Sequence, residues 1–251
     1  AWLYSRQGKC LHLVHTRRVS YALGQGWSRW KYRQGHVVCV SQEVEEVVRQ
    51  AGVRQTSVIP SAIMVERYAP RNQGNGGRIG IIGALSPQKG HAQFFHALAL
   101  LKHCPEVWIV GTGSLEPTLR DLARQCGLNQ HLVWKGYVDS AHVLPHLDIV
   151  VVPSAHGEGS SGVIKEGWAA HVPVICSDLP ANLELVQHKK NGLVFCNGNV
   201  AGLADHINTL LHAPDLVASL TSCGQHSLQP YTTQAMCAAY DQLYSHLRSL
   251  T

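Results

Sequence analysis

Short apolar runs without polar alternation recur along this chain, at residues 79–82, 107–110, 149–152 and 174–176. A strand that is apolar on both sides has to be covered on both sides, which is the situation of a parallel sheet lying between two layers of helix. Helix-length segments separate most of the runs, as the crossover connections of parallel strands require. The fold class is therefore α/β. Strands are expected at residues 11–16, 37–40 and 57–59, with a helix over 43–50, and again at 79–82, 107–110, 132–134, 149–152, 174–176 and 193–195. Helices over 162–170, 200–211, 216–222 and 233–248 complete the pattern.

The later six strands suffice for one complete doubly wound, Rossmann-like parallel-sheet domain, expected over residues 78–230. Residues 1–68 supply only three strands and make a partial N-terminal α/β domain. Residues 69–77, with Pro70, Asn72, Gly74, Asn75, Gly76 and Gly77, read as an exposed linker, and 231–251 as a C-terminal helix that packs back on the N-terminal part. Three strands against six, and a first residue Ala1 rather than Met, lead to the expectation of a fragment, a processed product or a trimmed polypeptide.

With 251 residues, 45% of them hydrophobic, the chain has enough apolar surface for a substantial core. No apolar run approaches a membrane span and the N-terminus lacks a signal-peptide pattern, so a cytoplasmic location is expected. The eight cysteines show no CxxC, and Cys39 and Cys176 fall inside apolar strands, so reduced, mostly buried thiols are expected. Sixteen histidines come without HExxH or a joint Cys/His zinc spacing, and Pro145 interrupts the pair His142 and His146. No protein-bound metal is expected. Residues 1–42 carry seven Lys or Arg and no Asp or Glu, so the net +5 of the chain leaves −2 for the rest. Arg17, Arg18, Arg29, Lys31 and Arg33 interleave there with Tyr21, Trp27, Trp30 and Tyr32. That mixture suits an anionic membrane surface over residues 17–33, or an anionic acceptor, and equally a solvated basic face over an aromatic core. No recognition framework for nucleic acid accompanies it, and none is expected as a partner.

The residues with most chemistry follow the run at 149–152. Glu158 and Glu166 stand eight positions apart, separated by Gly159, Ser160, Ser161, Gly162, Val163, Ile164 and Lys165 at a strand-to-helix turn. Such turns are where open α/β sheets hold ligands. Glycines let backbone approach a ligand, and the amides and dipole at a helix start favour an anion. Glu166, about one turn into the helix, can lean back and offer two acceptors to a vicinal diol. Anion, diol and sugar hydroxyls together describe a nucleotide-sugar. Gly83 to Gly90 forms a second such turn, with Lys89 placed to meet a diphosphate as a point charge. Gly111 and Gly113 form a third that partly matches the dinucleotide fingerprint, with Glu116 in place of the third glycine. A structural tight turn explains it as well. His15, Arg17 and Arg18 end the first expected strand, where a base, an acceptor or an anion clamp can stand. His156 reads either as a contact to a bound sugar or as exposed loop, and Lys165 is expected to face solvent. Asn182 and Glu184 are candidates to touch a ligand, but capping or solvent exposure is the default reading for them and for Asp178.

Taken together these stretches resemble the family 4 (group 1) retaining glycosyltransferases of GT-B fold. The strongest part is LDIVVVPSAHGEGSSGVIKEGWAAHVPVICSDLPANLELVQHKKNGLVF, residues 147–195, with the two glutamates, the helix with small residues, the Pro-Val strand and the Asn-Gly turn in family order. GALSPQKG matches the lysine-bearing donor loop and WIVGTGSLEPTLRDLARQCGL the next unit. YRQGHVVCVSQEVEEVVRQAGV and VIPSAI resemble the end of the acceptor domain, so the N-terminal part is the acceptor side, without its early strands. The resemblance implies transfer from a nucleotide-diphosphate sugar to a glycan or lipid-linked acceptor with retention, in cell-envelope polysaccharide or lipopolysaccharide synthesis. It implies no cofactor beyond the donor, and a protein that is peripheral at the inner face of the membrane. Glu158 and Lys89 become catalytic candidates, Glu158 toward the sugar, Lys89 toward the diphosphate and Glu166 toward the ribose. Gly83, Gly111 and the backbone of Gly159, Ser160, Ser161, Gly162 and Val163 line the donor. Where the family carries Arg after the glycine of the donor loop, this chain has Ala84; it also has Ser160 for an apolar residue and Ser61-Ala62 for Asn-Gly. Two other readings remain: a nucleotide-sugar-binding module without transfer, motivated by Ala84 and the missing strands, and an NAD-dependent oxidoreductase resting on Gly111 and Gly113.

Overall fold

The computed structural model describes residues 12–24, 26–72 and 76–249. Two compact units emerge: the first holds the described residues of Ala1–Ala62 with Gly157–Ser160 and Pro230–Thr251, the second Ile63–His156 with Ser161–Gln229.

In the first unit β1 (Val14–Arg17), β2 (His36–Cys39) and β3 (Thr56–Val58) form a parallel sheet in that order. The expected strand at 11–16 begins later and runs to Arg17, and Leu11 lies outside the described residues. Alternate residues of β2 serve opposite faces, as the pleat dictates. Val37 and Cys39 pack with Val44 and Val48 of helix Gln42–Gln50, whose start is capped by Ser41 Oγ accepting from Val44 N. Val38 packs with Ile59 and with Leu243 and Leu247 of helix Thr233–Ser249. The basic segment holds a helix that its composition did not announce, Trp27–Arg33. Arg29 Nε and Arg33 Nη2 both donate to the Ala51 carbonyl, at 2.6 Å and 3.0 Å. These arginines thus satisfy the carbonyl end of helix Gln42–Gln50.

The second unit is a six-stranded, all-parallel sheet of β4 (Ile79–Ile82), β5 (Val107–Val110), β6 (Leu132–Gly136), β7 (Ile149–Val152), β8 (Val174–Ser177) and β9 (Leu193–Phe195). Their order is β6-β5-β4-β7-β8-β9, the doubly wound arrangement in which connections leave β4 and β7 in opposite directions. Ile79, Ile81, Ile149 and Val151 form the centre of the core with Phe94, Phe95 and Ile207 of the covering helices. Over the other face, helix Gly162–Ala169 presses on the sheet at Gly167, where a Cβ would stand 2.9 Å from Val150 Cγ1 and 3.0 Å from Val174 Cγ2.

The segment expected as an exposed linker is exposed at Ala69, Pro70, Asn72 and Gly76 but tethered at Arg71, Asn72 and Gly77, residues 73–75 lying outside the description. Arg71 N and Asn72 N donate to Ala170 O and Pro145 O, each at 2.7 Å. Asp148 accepts from Gly77 N at 2.8 Å, Arg78 N at 3.0 Å and Arg71 Nη1 at 2.8 Å. A half-buried carboxylate with three donors is a strong local clasp, so Asp148→Ala is expected to cost about 2–3 kcal/mol in urea unfolding. A loss within the range of ordinary surface substitutions would show that the clasp contributes nothing.

Cys39 and Cys176 are fully buried, and burial pushes their thiols up to about 11 and about 12. The expectation of mostly buried thiols holds less widely: Cys104, Cys126 and Cys223 are half-buried, Cys196 and Cys237 exposed, and Cys10 lies outside the described residues. Among the described residues no helix is long and apolar enough to cross a membrane.

Candidate functional site

The second unit gathers its chemistry at the carboxyl ends of β4, β5, β6 and β7. Backbone bonds stitch the loops there together: Gly83 N donates to Val110 O at 2.9 Å, Gly111 N to Gly136 O at 2.7 Å and Leu85 N to Thr112 O at 3.0 Å. A Cβ on Gly111 would fall 1.9 Å from Gly83 O, and one on Gly113 2.3 Å from Leu85 O. Both glycines are therefore demanded by the packing of neighbouring loops, which accounts for them without a nicotinamide cofactor.

Lys89 ends the 3-10 turn Pro87–Lys89 and lays its stem across Gly83, where a Cβ would be 3.3 Å from Lys89 Cδ. Gly90 follows in the left-handed region with φ 68°, and a Cβ there would meet Pro153 O at 1.7 Å. Ala155 N donates to Gln88 O at 2.8 Å, so the lysine-bearing loop is pinned to the end of β7. His91 opens the next helix and is buried, with no hydrogen-bond partner for either ring nitrogen among the described residues. Burial, and then the charge of Lys89, pull its pKa down to about 4.

Helix Gly162–Ala169 starts after Ser161, whose side chain makes no capping bond to it. Its partly open face consists of Gly162, Val163 and Glu166. Glu166 folds back over the first turn, Oε1 lying 3.2 Å from where a Gly162 Cβ would stand. Lys165 does not face solvent as expected: at 1% exposure it is among the largest enclosed side chains, because this short helix is packed on nearly every side. Asn182 is likewise buried rather than an exposed cap; its Nδ2 donates to Ser177 O at 3.1 Å, and Ser177 Oγ to Ser154 O at 2.6 Å. His156 and Glu184 are exposed and Asp178 half-buried.

Glu158, Gly159 and Ser160 group with the first unit, while Glu166 belongs to the second. Glu158 and Gly159 are buried, and a Cβ on Gly159 would meet Arg18 O at 2.2 Å, so glycine is what lets this loop lie against the end of β1. Arg17 is buried at 6% exposure, not open to solvent as an anion clamp would be. Its Nη2 donates to Tyr21 O, and its guanidinium lies 5.4 Å and 5.7 Å from the ring centres of Tyr21 and Tyr32. Aromatic faces stabilise the cation in place of water. His15, on the same face of β1, meets Tyr32 edge-on at 5.3 Å, and burial, then Lys31, lower its pKa. Arg18 is exposed and reaches Ser61 Oγ at 3.5 Å.

The family model for glycosyl transferases group 1 matches residues 76–213, more than half of the chain. The chain belongs to this family. Among relatives of this glycosyl transferase chain, a GDP-mannose-dependent alpha-(1-6)-phosphatidylinositol monomannoside mannosyltransferase of Mycobacterium tuberculosis is 31% identical over 156 residues, covering 57% of this chain and 40% of that protein. The lipopolysaccharide core biosynthesis glycosyltransferase LpsE of Rhizobium meliloti is 27% identical over 164 residues, covering 64% of this chain and 48% of the relative. The chain thus matches less than half the length of these relatives. Among solved structures, Anabaena Alr3699/HepE in complex with UDP and glucose superposes with a TM-score of 0.84 at 22% identity, covering 94% of this chain and 72% of that one. The fold is that of the GT-B glycosyltransferases.

Two parts of this group 1 chain's edge escaped the sequence reading. A recess of about 230 Å³ lies beside Ile82, Ala84, Val110, Thr112, Tyr137 and Val138, and Tyr137 is 85% exposed. The signal was available, since Tyr137 comes three residues after the expected strand at 132–134 and directly after a glycine, Gly136, which is left-handed at φ 64°. His91 gave no comparable signal, because its burial depends on how the lysine-bearing loop docks on β7.

Proposed function

We propose that this chain carries the donor-binding part of a glycosyltransferase that moves a sugar from a nucleotide-diphosphate sugar to a glycan or lipid-linked acceptor with retention. The observation that supports it most is Glu166 folded back over the open first turn of its helix, on the sheet edge that also carries Lys89. Two carboxylate oxygens there suit a ribose diol, and the first-turn amides with their dipole suit a phosphate. Lys89 adds a point charge for the diphosphate. When the bond from the anomeric carbon to the diphosphate breaks, the leaving oxygen takes the electron pair. Lys89 and the amides then stabilise that charge, a task other enzymes give to a metal cation. The acceptor hydroxyl makes the new bond to the anomeric carbon and gives its proton to the leaving diphosphate oxygen. The mainly apolar recess beside Tyr137 suits a flat heterocyclic base. Glu158 and the backbone at Gly159 and Ser160 are the candidates for contact with the sugar.

The phosphatidylinositol-mannoside and lipopolysaccharide-core relatives support a cell-envelope acceptor, and the UDP complex of the Anabaena protein supports a diphosphate donor. Trp27 is 83% exposed and pairs with Trp30 on a basic helix, which supports an anionic membrane surface at the cytoplasmic face as the place of work. A second reading, donor binding without transfer, is favoured by Ala84, which stands exposed in the lysine-bearing loop and supplies no charge.

Calorimetry with a panel of nucleotide-sugars tests the donor site. One donor should bind, and Glu166→Ala and Lys89→Ala should each weaken it by about 2–3 kcal/mol, the worth of a charged hydrogen bond. Binding that survives both substitutions puts the site elsewhere, and no binding by the parent chain removes it. Sugar transfer by the complete polypeptide then separates enzyme from binding module.

A further inference from the structure

At the carboxyl ends of the first unit's strands, a recess of about 210 Å³ opens beside Thr16, Arg18, Ile59, Ser61, Met236 and Tyr240. We propose that it binds one pyranose ring bearing a single anionic group, carboxylate or phosphate, as a unit of the acceptor. The carboxyl ends of parallel strands are where α/β sheets hold ligands. The volume is below the ~300 Å³ of sites for drug-sized molecules, which limits the occupant to a single ring. Thr16 Oγ1 and Tyr240 OH lie 3.2 Å apart and either donates, while Ser61 adds a third hydroxyl. Hydroxyls that donate and accept match the hydroxyls of a sugar. Ile59, Met236 and the Tyr240 ring offer an apolar wall to the C–H face of a pyranose, and Tyr240 is backed by Tyr244 with ring centres 5.8 Å apart.

The charge comes from Arg18. Its guanidinium is exposed, and its long 3.5 Å contact to the Ser61 hydroxyl leaves the fork geometry suited to a carboxylate or phosphate. Among the described residues the recess is lined by no Asp or Glu, so nothing in its wall repels an anion. Arg17, its neighbour, is enclosed by Tyr21 and Tyr32 and does not line the recess.

The binding stands on this geometry alone, and its place in acceptor recognition rests on the proposed transferase. NMR titration of the full chain with glucuronate, glucose 6-phosphate and glucose tests it. Both acidic sugars should shift the amide signals of residues 16–18 and 61, with glucose about tenfold weaker, the lower value of a charge-assisted bond. Arg18→Gln, which removes the charge and keeps a shorter polar side chain, should bring the acidic sugars down to the affinity of glucose with an unchanged thermal midpoint. Tyr240→Phe should weaken all that bind. Equal binding of glucose and the acidic sugars, an acidic preference that survives Arg18→Gln, or no binding by any of the three overturns the proposal. Glu166→Gln on the same preparation should weaken only the nucleotide-sugar. Loss of acidic-sugar binding alone therefore counts against the recess, and loss of donor binding alone against the donor site.

Discussion

Gly90→Ala is expected to lose more than about 4 kcal/mol of stability, with nucleotide-sugar binding lost as well. Two effects combine. The left-handed backbone at φ 68° strains any residue with a Cβ by ~1–2 kcal/mol. The added carbon would also fall 1.7 Å from Pro153 O and 2.8 Å from its carbonyl carbon, both main-chain atoms at the end of β7. Relief requires the loop that carries Lys89 to lift away. Gly127 supplies the matched control, since its φ is 70° and nothing lies within 4 Å of its added Cβ. Gly127→Ala should show the backbone strain alone. Urea unfolding of the two variants gives the comparison, and equal losses would refute the close docking of the lysine loop on β7.

The second large effect is a pH dependence centred on His91. Its folded pKa of about 4 lies below the ordinary 6.5, so between these values the unfolded chain binds a proton that the folded chain excludes. Stability attributable to this group is complete above pH ~6.5 and falls by ~1.4 kcal/mol per pH unit on acidification, for about 3 kcal/mol in all by pH ~4. His91→Leu removes the titration together with two buried ring nitrogens that lack partners among the described residues. Relative to the parent chain, the variant should therefore gain about 2 kcal/mol more at pH ~5 than at pH ~7.5. Groups that titrate elsewhere cancel in the difference. A gap that stays constant between the two conditions would mean that His91 is not held neutral by its surroundings.

The strands at 79–82, 107–110 and 149–152 were legible because a strand covered on both faces cannot hide a polar residue among its side chains. Helix Gln42–Gln50 was legible because Ser41 and the acidic first turn, Glu43 and Glu45, announce its start. Glu166 leaning over Gly162 was readable from helical geometry, a local property. What could not be read depends on contacts distant in sequence. The burial of Arg17 needs the Tyr32 ring, fifteen residues on, beside its cation, and that of Lys165 needs a helix enclosed on nearly every side. The grouping of Gly159 with β1 needs the Arg18 carbonyl beneath it. Periodicity reports which side of an element is apolar, and none of these facts concerns apolar periodicity.

The sheet itself contains a seam. β4 pairs with β5 through four residues, from Ile79–Val107 to Ile82–Val110, but with β7 only through Ile79–Ile149 and Gly80–Val150. Past those two rungs the paired ladder stops, and ties are made beyond the end of β7 instead, Gln93 Nε2 donating to Pro153 O and Ala155 N to Gln88 O. Substitutions that firm up the sheet therefore have to leave the main chain of Pro153 and Ala155 to the lysine loop and the helix after it, whose positions depend on ties made beyond the last rung.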